Sequence, residues 1–202
     1  MSASWIALDL AQSSGIAWYE GTDLRYVTDI VKKAATKKRG TVWEKTTYPI
    51  RADDKTPIVG TYHSIHSALA AEFRVDLIDG FCMEDGFIGR NMKSSMQTAE
   101  LRGVAKGLLY AQCALFAPRY YPKPSDWRKV VEQRLTLEGL PFQLAGTDRE
   151  HAKRLALSLV KELHGLDNIT DNAAEAVLLG KAYILSGRYA VDHKEMEDAR
   201  CG

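Results

Sequence analysis

The feature that most constrains this chain is a pair of short apolar runs near its start, Trp5-Ile6-Ala7-Leu8-Asp9-Leu10 and Gly15-Ile16-Ala17-Trp18-Tyr19, divided by Ala11-Gln12-Ser13-Ser14. Runs of this length bounded by small polar residues read as strand, turn and strand. A hairpin therefore opens the fold. Its first strand carries one carboxylate, Asp9, at a place where a merely solvating charge has no reason to be.

The remaining pattern extends a sheet and covers it with helices. Residues 24–31 supply a third strand, and the basic, aperiodic stretch 32–40 reads as an exposed loop. Ile65, Leu69 and Phe73 form one stripe of a helix over 62–73, and 77–83 is a buried strand ending at Glu84. A long helix over 94–116 has Leu101, Val104, Ala105, Leu108 and Leu109 at helical spacing. Its Gly103 and Gly107 leave one face narrow enough for a close neighbour, either a partner helix or the chain's own sheet.

Residues 119–121 form a short strand, 125–128 begin another helix, and Thr147-Asp148-Arg149-Glu150 has the capping-box pattern ahead of Leu155, Leu159 and Leu163. Thr170 caps a last helix with its apolar body over 173–185 and Gly187 as its stop. Strands first and α/β units later imply an α/β fold with a mixed sheet. The 202 residues are expected to make one domain over 1–190, with 191–202 a polar, poorly ordered tail.

Charge and cysteine usage narrow the function. Lys and Arg number 27 against 26 Asp and Glu, so a polycation is excluded and any nucleic-acid surface must be local. Cys82, Cys113 and Cys201 are far apart, and the five histidines show no metal-binding spacing. With neither a signal-peptide pattern nor a run of membrane-spanning length, a soluble protein of a reducing compartment is expected.

Glu84, like Asp9, sits at the end of an apolar strand, while Asp171 and Glu175 are four residues apart on one helix face. Ala173, Ala174 and Ala176 let that helix lie close to the sheet. Four hard oxygen donors without nearby His or Cys suit Mg²⁺ or Mn²⁺, and two such ions together can hydrolyse a phosphodiester. Taken singly each acid has a plainer use: Asp171 at a helix N-terminus, Glu175 on the surface, Asp9 bonding turn amides. Asp85 follows Glu84 directly and points to the opposite face of an extended strand, so it is left out of the group.

Taken together these motifs resemble the RuvC family of Holliday-junction resolvases, in the ribonuclease H-like superfamily, over most of residues 4–187. Ile6-Ala7-Leu8-Asp9-Leu10 with Gly15-Ile16-Ala17-Trp18 is similar to the family's first acid strand and its neighbour. Met83-Glu84-Asp85-Gly86-Phe87, followed by Asn91, Ser94, Ser95, Ala99, Arg102 and Gly103, resembles the second acid motif. Tyr121-Pro122 with Trp127-Arg128-Lys129 resembles the next strand and its short helix, and Asp171-Asn172-Ala173-Ala174-Glu175 the closing acid helix. Three departures stand out: Ala11 replaces a glycine, Glu175 replaces an Asp, and either Asp171 or Asn172 aligns with the third acid, of which only Asp171 brings charge.

The resemblance implies a ribonuclease H-like mixed five-stranded sheet flanked by helices. It implies a Mg²⁺-dependent endonuclease (Mn²⁺ as a substitute) that nicks four-way DNA junctions in pairs. Asp9, Glu84, Asp171 and Glu175 would hold two ions, and Phe87 would wedge against a base. DNA contacts are expected from Asn91, Lys123, Arg128, Lys129, Arg149, Lys153 and Arg154, with Lys153 also reaching the scissile phosphate. A homodimer through helix 94–116, branched DNA as partner, and the cytoplasm of a bacterial or phage-infected cell complete the expectation. Two other readings stay open, a sugar-kinase-like ATP-binding protein of related fold and a non-catalytic nucleic-acid-binding relic.

Overall fold

The computed structural model describes residues 3–11, 13–34, 41–50, 56–73, 78–85, 92–113, 117–137, 139, 144 and 148–201. Its strands are β1 (Ser4–Leu10), β2 (Ser14–Glu20), β3 (Asp23–Ala34), β4 (Thr41–Pro49), β5 (Ile58–Tyr62), β6 (Gly80–Met83) and β7 (Arg119–Tyr120). Its helices are α1 (Ile65–Glu72), α2 (Met92–Gln112), α3 (Pro124–Leu137), α4 (Arg149–His164), α5 (Asp171–Leu185) and α6 (Arg188–Cys201).

The strands form one mixed sheet in the order β5-β4-β3-β2-β1-β6-β7. β1 to β5 pair antiparallel in succession, while β6 lies parallel to β1 and β7 parallel to β6. Among the described residues the sheet therefore has seven strands, not five, because β3 continues through Lys32, Lys33 and Ala34 and pairs with β4, which pairs with β5. Those three residues belong to a strand and not to the expected loop; the rest of that loop, 35–40, lies outside the described residues. β4 was not legible because Thr41-Val42-Trp43-Glu44-Lys45-Thr46-Thr47 is mostly polar, as a strand far from the centre of the sheet can be.

Alternation along β1 divides the core in two. Trp5 and Ala7 pack with α3, α4 and α5 on one face; Ile6, Leu8 and Leu10 pack with α1 and α2 on the other. Thr170 caps α5 as expected, its hydroxyl accepting from Ala173 N–H at 3.3 Å. α4 is capped by Asp148, which accepts from His151 N–H at 3.0 Å. The expected tail is instead helix α6, anchored because Asp192, His193 and Met196 are buried; Asp192 accepts from Tyr183 Oη at 2.9 Å. Among the described residues no helix is long and apolar enough to cross a membrane.

Candidate active site

Asp9 is the last residue but one of β1, and the parallel register Leu8↔Met83 carries β6 forward so that Glu84 emerges beside it. Glu84 N–H donates to Leu8 O at 3.4 Å, which keeps the two chains together to that point. On the other side Asp9 is paired with Gly15 of β2. A Cβ on Gly15 would stand 2.2 Å from Asn172 O and 2.3 Å from Ala173 N, so only glycine there lets the first turn of α5 lie against the strand. Asn172 Nδ2 donates to Ser13 O at 2.6 Å and fastens the same turn to the hairpin. The consequence is that Glu175, one turn further, is carried to Asp9.

Asp9, Glu84 and Glu175 thus form one electrostatic group. Burial, then the charges of Glu175 and Glu84, push the Asp9 carboxyl well above the ordinary carboxylate range, against a smaller opposing pull from Arg102. Glu84 is also raised, by burial first and by Glu175, while the Trp127 indole and the guanidinium groups of Arg128 and Arg102 draw it down. Trp127 Nε1 donates to Glu84 Oε2 at 3.0 Å, Arg102 Nη2 lies 3.9 Å from Glu84 Oε1, and the next residue in the chain, Arg128, is ion-paired with Glu175. Adjacent residues of α3 therefore hold two different acids.

Asp171 stands at the edge of this group. It pairs with Lys153 of α4, and its charge acts on Asp29. Asp29, buried in β3, accepts from Thr170 N–H at 2.9 Å and from the Thr170 hydroxyl, tying the cap of α5 to the sheet. Burial pushes the Asp29 carboxyl up to about 6, against the two Thr170 hydrogen bonds. Among the described residues no three His, Cys, Asp or Glu side chains close to metal-holding spacing. In this arrangement Glu175 is engaged by Arg128, Asp171 by Lys153 and Glu84 by Trp127.

Of the expected DNA contacts, Lys123, Lys129, Arg149 and Arg154 are exposed, while Arg128 and Lys153 are half-buried against acids. Phe87 and Asn91 lie outside the described residues. Asp85 is exposed, with its N–H donating to Pro122 O at 2.8 Å. Among the described residues nothing lies within 4 Å of a would-be Cβ on Gly103 or Gly107, so the described strands do not pack on that face. Sequence reasoning missed the roles of Arg102, Trp127 and Asp29. A signal existed for Asp29, an acid inside an apolar strand like Asp9; none marked Trp127, whose indole reads as core.

No protein-family model matches the chain, and no curated protein matches it. Among solved structures it is similar to Thermus thermophilus RuvC in complex with a Holliday junction substrate, with a TM-score of 0.51 and 10% identity over 92% of this chain and 95% of that one. A second T. thermophilus RuvC structure has a TM-score of 0.49 and 10% identity over 94% and 97% of the two chains. The likeness is one of fold, a mixed sheet flanked by helices, consistent with a ribonuclease H-like arrangement.

Proposed function

We propose that this chain is a metal-dependent, structure-selective DNA endonuclease that resolves four-way junctions by paired nicks. The observation that carries the reading is the mutual burial of Asp9, Glu84 and Glu175 at the ends of two adjacent parallel strands and a helix docked on them. Carboxylates gathered in this way raise one another's proton affinity, and a divalent cation relieves that repulsion more completely than the surrounding side chains do. The donors are all carboxylate oxygens, which fits Mg²⁺ or Mn²⁺. Asp9, Glu84, Glu175 and, from the edge, Asp171 would hold the ions, which supply an activated water and charge stabilisation at the leaving oxygen.

The chain's own residues then bind and orient the phosphate. Arg128 and Lys153, held beside Glu175 and Asp171, are cations within the site that exchange a carboxylate for a phosphate oxygen, and exposed Lys123, Lys129, Arg149 and Arg154 follow the backbone outward. Phe87 and Asn91 keep the roles that the family resemblance gives them. Two opposed nicks call for two sites, and α2 offers the surface: Met92, Met96, Ala99, Gly103, Gly107 and Tyr110 recur at helical spacing and are exposed, with open space over both glycines. The similar structure in complex with a Holliday junction lends the substrate class support.

The test is cleavage of labelled four-way junctions beside matched linear duplexes, with Mg²⁺ and with EDTA. Paired nicks confined to the junction and to Mg²⁺, and lost in Asp9→Asn, are expected. Equal cutting of both substrates would remove the junction assignment, and undiminished cutting in EDTA would remove the metal.

A further inference from the structure

The chemistry above leaves unused a cavity of about 250 Å³ on the opposite face of the sheet, between α1, α2 and the β3–β4 hairpin. That is below the roughly 300–1,000 Å³ of pockets that enclose drug-sized ligands, so it suits a single ring system. Lys32 and Trp43 face each other on the β3–β4 ladder and both line it. Leu101 closes its apolar side, and Gln97 and Glu100 stand on its rim.

Its position connects it to the acid group. Ala11, two residues beyond Asp9, is part of the wall, and Leu101 precedes Arg102, which faces Glu84. Lys32 brings a positive charge to its wall on the strand side, facing Glu100 of α2 across the opening, while its neighbour Lys33 is ion-paired with Glu44. An aromatic and aliphatic wall receives a flat ring, Gln97 and Glu100 can meet the amino and ring-nitrogen edge of a base, and Lys32 meets the attached phosphate.

We propose that this cavity receives one nucleobase of an unpaired DNA segment, with its phosphate on Lys32. The inference rests on the nuclease reading, since the nucleotide held here would neighbour the one whose phosphate reaches the acids. It also gives the β3–β4 hairpin a task.

Intrinsic fluorescence tests it directly, because Trp5, Trp18 and Trp127 are buried while Trp43 is partly exposed. In EDTA, where nothing is cut, titration with dAMP and with a short single-stranded oligonucleotide should quench the emission saturably. Trp43→Leu should abolish the quench and weaken oligonucleotide binding, followed by anisotropy, at least about fivefold. Lys32→Glu, at an exposed position that leaves the fold intact, should weaken dAMP binding while sparing the quench by deoxyadenosine. Inorganic phosphate quenching as well as dAMP, or an abasic oligonucleotide binding as tightly as one with bases, would overturn the proposal. Base-dependent quenching in a protein that cuts no junction would instead remove the nuclease reading and leave the cavity's assignment standing; junction cutting without that quench would remove only the cavity.

Discussion

Two buried acids on opposite faces of the same sheet meet opposite surroundings. Glu72 of α1 accepts from Trp18 Nε1 at 2.7 Å and Thr28 Oγ1 at 2.9 Å through one oxygen, and pairs with Lys45 Nζ at 2.8 Å through the other. Asp9 faces Glu175 and Glu84, groups of its own sign. Donors answer the first carboxylate and acceptors crowd the second. The difference teaches that burial alone does not mark a reactive acid: a buried carboxylate surrounded by donors holds a structure together, whereas one surrounded by carboxylates calls for a cation.

The largest contrast is expected when each acid is neutralised. Glu72→Ala strands Lys45 and two other donors, and breaking a buried pair costs about 3–5 kcal/mol; with Lys45 15% exposed, the low end, about 3 kcal/mol, is expected. Asp9→Asn should do the reverse. Because folding raises the Asp9 carboxyl above its ordinary range, the neutral amide is favoured, so the metal-free variant should be more stable at pH 7 while losing cleavage. Urea denaturation in EDTA reads both, and equal destabilisation by the two substitutions would break the comparison.

That contrast was half legible in the sequence. Asp9 stood out because its strand is otherwise apolar, and Glu84, Asp171 and Glu175 because they end or begin elements. Glu72 did not, since an acid at the end of an amphipathic helix looks solvated until the polar face of β3 and β4 arrives beneath it. β4 was unreadable for the same reason, and β3 was read only as far as Val31: Thr28, Lys45 and Thr47 make polar positions on a face where a buried carboxylate, and not only oil, is the partner. The early hairpin, the α2 stripe and the Thr170 cap were readable because each depends on near neighbours. The Arg128–Glu175 and Trp127–Glu84 contacts span 47 and 43 residues and depend on where α3 lands.

Asp29 sharpens the comparison from between the two regions, being buried with donors on both oxygens yet lying within reach of Asp171. Folding moves its carboxyl from 3.8 to about 6, so the folded protein holds a proton that the unfolded chain releases across that window. Its contribution is therefore present below about pH 4 and declines as pH rises to 6, by roughly 2–3 kcal/mol. Asp9 pulls in the same direction, so the measurement is the difference between wild type and Asp29→Asn in denaturation from pH 4 to pH 7. The decline should be shallower in the variant. Parallel pH profiles would show that Thr170 satisfies the charged carboxylate fully.

The finest test applies one substitution to both regions, because each has an acid held by an indole, Glu72 in one and Glu84 beside Asp9 in the other. Trp18→Phe and Trp127→Phe both keep a ring in the core and both delete an N–H, one given to Glu72 and the other to Glu84. At Glu72 the loss is structural, since a hydrogen bond to a charged group contributes about 1.5–3 kcal/mol and Thr28 and Lys45 remain to share it; stability should fall by about 1.5 kcal/mol. At Glu84 the indole fixes an oxygen that the proposed ions would use, and removing such an orienting partner weakens metal affinity by about 10–100-fold. Arg102 and Arg128 also act on Glu84, so the smaller figure applies: the Mg²⁺ concentration for half-maximal cleavage should rise about tenfold, with the rate at saturating Mg²⁺ close to wild type. Trp18→Phe should leave that Mg²⁺ dependence where it was. If Trp127→Phe instead lowers stability and does not move the Mg²⁺ midpoint, its indole belongs with that of Trp18, and Glu84 is a second structural acid.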